Sequence, residues 1–206
     1  MNFHTVAPVL GWVAVGVGLV GTTAQFHRLH RRGLDGVSVA TWVLFVLMGG
    51  FWITYGAVAH SWTIIMGSLI VLPLQLGIVA RLRPWRHGAT VARSSAFFAL
   101  SCVVPTLLWG WPGGVYGTGV AMVVNRGPQL IELVREVHAA GVSVGSWVLG
   151  SAGSVLWVAY YLGAHLWAAL VATTLSGMGN VTIAFLAWWR HRQSAPEGVP
   201  AEVLVA

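Results

Sequence analysis

Five carboxylates and eight histidines are the side chains that could serve as acids, bases or metal ligands in this chain, and all of them lie at the margins of long apolar runs. Asp35 and Glu136 fall between runs, Glu132 falls at the end of one, and Glu197 and Glu202 sit in a polar tail. Nucleophilic or general acid–base catalysis needs a base or a carboxylate pair held beside the reacting atoms. No such set lies within an apolar stretch, so the expectation is a protein that is not an enzyme and uses no cofactor. His60 and His165 form a matched pair, yet no thiol or carboxylate joins them, and no metal site is expected. A retinal Schiff base is excluded because the chain has no lysine. The polar chemistry inside the apolar runs belongs to neutral groups, above all the amides of Gln75 and Asn180. An amide in lipid is costly unless paired. Each therefore either lines a pocket or bonds one helix to another, and both readings stay open.

These residues recur because the segment carrying them occurs twice. Gly36-Val37-Ser38-Val39, Trp42-Val43-Leu44, Trp52, Tyr55, His60 and Trp62 reappear 105 positions later as Gly141-Val142-Ser143-Val144, Trp147-Val148-Leu149, Trp157, Tyr160, His165 and Trp167. The same offset pairs Gln75 with Asn180. Before the first connecting loop the offset is 104, which pairs Gln25 with Gln129 and Ala24 with Pro128. A proline inside a helix removes one backbone hydrogen bond and creates a weak point. Pro128, with the duplicated glutamines Gln25 and Gln129, is accordingly read as a hinge. Asn125 and Arg126 precede it and have only Thr22 and Thr23 as polar counterparts. The arginine is expected to reach out to the lipid headgroups, with attraction of an anionic solute as the alternative.

Lipid is the solvent that the composition requires. Hydrophobic residues make up 57% of the 206, charged residues only 8%, and the mean hydropathy is +0.77. Soluble domains carry roughly 25% charged residues. The net charge of +6 does not point to nucleic acid, because the arginines cluster at the ends of apolar runs as topology signals do. The one cysteine, Cys102, cannot form an intrachain disulfide. A helix needs about 20 apolar residues to cross a ~30 Å hydrocarbon core. Runs near 6–26, 38–59, 62–82, 94–111, 113–131, 144–162 and 165–188 meet that need. The fourth is short and contains Ser101 and Pro105. The alternation of a barrel strand is absent. Retention of the first run as a span, not its removal as a signal peptide, is expected because no basic cluster precedes it.

Arginines occupy alternate connections. Arg28, Arg31 and Arg32 follow the first span, Arg81, Arg83, Arg86 and Arg93 the third, Arg135 the fifth, and Arg190 and Arg192 the seventh. The intervening connections hold none. By the positive-inside rule the N-terminus is outside and the C-terminus cytoplasmic; the expected location is the plasma membrane. An odd number of spans gives both repeats the same polarity, which a parallel duplication requires.

The ordered set Gln25, Gly36-Val37-Ser38 and Trp52-x-x-Tyr55, repeated as Pro128-Gln129, Gly141-Val142-Ser143 and Trp157-x-x-Tyr160, resembles the PQ-loop superfamily, and within it the SWEET and SemiSWEET sugar transporters. The resemblance implies an all-α integral membrane fold of seven transmembrane helices, two parallel three-helix bundles joined by a linker helix in a 3-1-3 order. The units would be 1–87, a linker with the fourth helix at 88–112, a second repeat at 113–192, and a flexible cytoplasmic tail at 193–206. It implies a substrate pocket with one tryptophan from each second helix, here Trp52 and Trp157. Where the family has asparagine, this chain has Ser68 and Thr173, a departure that supplies fewer hydrogen-bonding groups. Gln75 and Asn180 lie two helical turns further along the same faces. The expected function is uncoupled facilitative transport of a small polar solute, sugar-like, with the lipid bilayer as the other partner. Assembly into a homo-oligomer stays open. So do two alternatives, a proton-coupled amino-acid exporter and a receptor or scaffold that transports nothing.

Overall fold

The computed structural model describes residues 3–32, 38–135 and 144–194, which are helical almost throughout and contain no strand. The helices are α1 (Phe3–Arg32), α2 (Val39–Val58), α3 (Trp62–Arg81), α4 (Gly88–Phe98), α5 (Val104–Arg135), α6 (Val144–Gly163) and α7 (Trp167–Ser194). A 3-10 turn, Pro84–Arg86, precedes α4, and a π-helical turn, Ala99–Val103, joins α4 to α5. Among the described residues, five stretches are long and apolar enough to cross a membrane: Thr5–Arg31, Val39–Val58, Trp62–Arg81, Gly88–Gly127 and Trp167–Gln193. Both α1 and α7 run beyond the apolar limits of 6–26 and 165–188. Hydropathy marks where lipid would end, and nothing in either sequence breaks the helix there. The repeat signatures Gly36-Val37 and Gly141-Val142-Ser143, and most of the 193–206 tail, lie outside the described residues.

The two copies fold alike in their turns. Ala59, His60 and Ser61 donate their N–H groups to the carbonyls of Tyr55, Ala57 and Gly56, and Ala164, His165 and Leu166 repeat the pattern on Tyr160, Leu162 and Tyr161. This is the Schellman arrangement, which ends a helix through one left-handed residue. That residue is His60 in the first copy (φ 50°) and His165 in the second (φ 56°). The matched histidines are thus the stop signals of α2 and α6. Ser38 and Ser61 begin α2 and α3 by accepting from the N–H groups of Thr41 and Ile64.

Packing repeats as well. Helix α3 lies against both α1 and α2, and α7 lies against both α5 and α6, while α1 also packs on α6. Leu29, Trp42, Ile78 and Leu82 form one buried cluster with Phe26, Val39 and Phe45. Leu133, Ile183 and Ala187, with Leu130, Val144 and Trp147, form its counterpart at the repeat offset. Trp42 and Trp147 therefore tie the three helices of each copy together. Trp111 likewise packs inward, on Phe51 and Tyr55. Arginine closes each triplet, Arg81 donating to the Leu29 carbonyl at 3.5 Å and Arg190 to those of Leu133 and Val134 at 3.0 and 2.7 Å. The charge sits where the C-terminal carbonyls of α1 and α5 need donors.

The chain doubles back at Gly110, whose left-handed φ of 71° breaks α5 and suits a residue without a Cβ. Residues 101–106 then face 113–117 at backbone contact. A Cβ on Gly113 would lie 2.6 Å from the Pro105 carbonyl oxygen, and one on Gly117 would overlap that of Ser101. The π-turn has its cause here. Pro105 has no N–H to offer the Ser101 carbonyl, and the ladder widens just before it. The Ser101 and Thr106 hydroxyls donate instead to the Phe97 and Cys102 carbonyls, each at 2.7 Å.

Candidate functional site

A cavity of about 1220 Å³ lies between the copies, with walls drawn from α1, α2, α3, α5, α6 and α7. It brings together Trp52, Ser68 and Gln75 from the first copy with Trp157, Thr173 and Asn180 from the second, and Gln25 joins them from α1. One face of α3 and one of α7 supply the polar residues, at the two-turn spacing that puts them in register. The backbone of α5 is helical through Pro128 and Gln129, and the side chains of these two lie outside the described residues.

The ends of the cavity differ. His27 and Arg31 of α1, Gly145 of α6 and His191 of α7 line one end, on the side where the arginines cluster. The other end is closed by aromatic rings. Tyr161 stacks on Trp157 (5.4 Å, 21°) and on Trp52 (6.2 Å, 16°), so its ring bridges the two tryptophans. Edge contacts extend the layer from Trp52 to Tyr55 and from Trp157 to Tyr160. Its one cross-copy hydrogen bond among the described residues joins the buried hydroxyls of Tyr160 and Ser61 at 2.6 Å. Close approach of helices makes the seal tight. A Cβ on Gly11 of α1 would stand 2.7 Å from Thr63 Cγ2 and 2.8 Å from the Tyr160 ring, and one on Gly67 would press on the Trp157 indole at 3.1 Å.

No family model, no curated protein and no solved structure matches the chain.

Two residues were given too little weight from sequence. Tyr161 corresponds to Gly56 at the repeat offset, so a search for matched pairs passes over it. The mismatch is itself the signal, because only one copy can supply the ring between two tryptophans. Arg126 was expected to reach for the headgroups. Instead it turns into the cavity, where Nε donates to Asn180 Oδ1 and Nη1 to the Met122 carbonyl, both at 2.7 Å. Asn180 in turn donates to Ser154 Oγ at 3.1 Å, and Ser154 to the Gly150 carbonyl at 2.9 Å. Asn180 thus does both things open to it, lining the cavity and linking α7 to α5 and α6. Its partner Gln75 does not. Gln75 Oε1 is buried without a hydrogen-bond partner, because the counterparts of Arg126 and Ser154 are Thr22 and Gly49.

Proposed function

We propose that this chain is a SWEET-like membrane carrier that moves a small polar, sugar-like solute downhill by alternating access, with its cytoplasmic side open in the conformation described. One observation carries the proposal. One cavity has paired walls from both copies of the repeat, reaches the arginine-rich helix ends, and meets an aromatic layer at its other end. Separating two such copies at the sealed end while closing them at the open one would move the solute across.

Seven crossings in a 3-1-3 order fit this use. The stretch Gly88–Gly127 has 40 residues, about 60 Å of helix, twice the hydrocarbon thickness. It accommodates a bilayer only by turning back, and Gly110 is where it turns. Val144–Gly163, a further helix of 20 residues, supplies the remaining crossing. The arginine distribution favours an outside N-terminus and a cytoplasmic C-terminus. The rings of Trp52 and Trp157 offer apolar platforms to the C–H face of a sugar-sized solute, and Ser68, Thr173, Gln75 and Asn180 offer orienting polar groups.

The test is solute exchange by the purified full chain in liposomes, with mono- and disaccharides, sugar acids, amino acids and nucleosides as labelled solutes. Exchange of one class that saturates and is lost in Trp157→Ala supports the carrier. Absence of exchange for every solute, by protein that stays monodisperse and helical, refutes it.

A further inference from the structure

The polar network around Arg126 is built like a binding site. Gly179 of α7 leaves the room that the Arg126 side chain occupies, since a Cβ there would stand 2.9 Å from its Cδ. Gly150 of α6 does the same for Asn180, at 3.3 Å from Nδ2. Two small residues and an amide thus hold a guanidinium across the cavity wall, near the end of the apolar run of α5 and beside the middle of α7. Holding a cation there is expensive unless something offsets it. Its bonds among the described residues go to neutral oxygens only, the Asn180 amide and the Met122 carbonyl. A guanidinium has five N–H donors. Two are used, and the Nη2 edge donates to nothing among the described residues. The nearest acid in sequence is Glu132, six positions away, whose side chain lies outside the described residues.

The other charged side chain among the described cavity residues, Arg31 near the arginine-rich end, has the same sign. A cavity with positive charge at its mouth and a fixed guanidinium inside concentrates anions. The guanidinium edge matches a carboxylate in geometry and charge. Ser154, which anchors Asn180, lies one helical turn from Trp157 on α6, about 5 Å between Cβ atoms. That separation suits one solute that places an anionic head on Arg126 and its carbon skeleton against the indole.

We propose that the solute bound in this cavity is a small hydroxylated carboxylate of roughly sugar size, with Arg126, held by Asn180, as its anion-binding group. The assignment rests on the carrier reading for its consequence in transport, but the binding it predicts is measurable without transport. Glucuronate, its neutral methyl ester, lactate and glucose are the probes, applied to the full chain in nanodiscs by titration calorimetry and to proteoliposomes for uptake. Glucuronate should bind more than tenfold more tightly than either the ester or glucose, the loss expected when a charge-assisted hydrogen bond is removed. Arg126→Gln should abolish that preference and Arg126→Lys should retain part of it. The acid–ester comparison uses the unaltered chain, so it decides the matter even if the variants do not fold. Equal affinity for acid, ester and glucose overturns the proposal, and so does failure of both glucuronate and lactate to bind. Acid-selective binding without uptake of any probe would remove the carrier reading and leave the anion site standing. Uptake of glucose with no preference for the acid would do the reverse.

Discussion

The hydrogen bond between Tyr160 and Ser61 gives the alternating-access reading a quantitative test. Its Oη–Oγ distance of 2.6 Å is short, and both residues are buried, so the bond should favour the closed outer end by about 1 kcal/mol. Tyr160→Phe removes the hydroxyl alone. The ring can keep its edge contact with Trp157, and Ser61 still accepts from the Ile64 N–H as the cap of α3. Ser61→Ala would be a poorer choice, since it also removes that cap, itself worth about 1 kcal/mol. If the bond is broken when the outer end opens, Tyr160→Phe should raise the ratio of outward-open to outward-closed protein about fivefold. Spin labels on cysteines at Trp62 and Trp167 report that ratio. The two are repeat counterparts at the starts of α3 and α7, and both are well exposed (70% and 56%), so labels there should disturb little. The buried Cys102 is first replaced by alanine. Pulsed dipolar spectroscopy on the reconstituted protein should show the longer label–label distance gaining population. An unchanged distribution, or a gain in the shorter distance, would refute the view that this bond holds the outer end shut.

Gly11→Val should push the same equilibrium further, because its side chain would meet Thr63 and the Tyr160 ring inside contact distance. An overpacking cost of about 1–3 kcal/mol falls on the closed state, read out as label separation and slower exchange. Trp52→Ala and Trp157→Ala should each abolish solute exchange in liposomes while the protein stays monodisperse; full exchange in both would return these rings to a packing role. Pro128→Ala should slow counterflow more than it weakens equilibrium binding, because a hinge acts on the barrier between states. An imposed pH gradient should drive no accumulation, since the sequence offers no carboxylate at mid-membrane to carry a coupled proton; accumulation would instead favour the proton-coupled exporter. Gly117→Ala should prevent recovery of folded protein, as its methyl would overlap the Ser101 carbonyl at the heart of the hairpin that turns at Gly110.

Much of this protein is legible without coordinates because lipid leaves the chain few options. Backbone groups in hydrocarbon must be satisfied within the helix, so long apolar runs dictate helices, and the chain's internal duplication pairs Trp52 with Trp157 and Gln75 with Asn180. The sequence alone also indicated the turn histidines as counterparts, although only backbone geometry gave them their task as left-handed stops. What it could not determine was anything that depends on a difference between the copies. Tyr161 stacks against both tryptophans while its counterpart Gly56 has no ring to offer, so the ring that bridges the tryptophans comes from one copy alone. Hydropathy made Arg126 a headgroup residue, because along the chain it stands near the end of an apolar run. Its inward turn depends on the space at Gly179 and on an amide from another helix, and those are properties of packing. The unsatisfied oxygen of Gln75 has the same origin. Position in the chain makes it the equal of Asn180, and only the tertiary structure shows that one amide is bonded to two other helices while the oxygen of the other has no partner among the described residues.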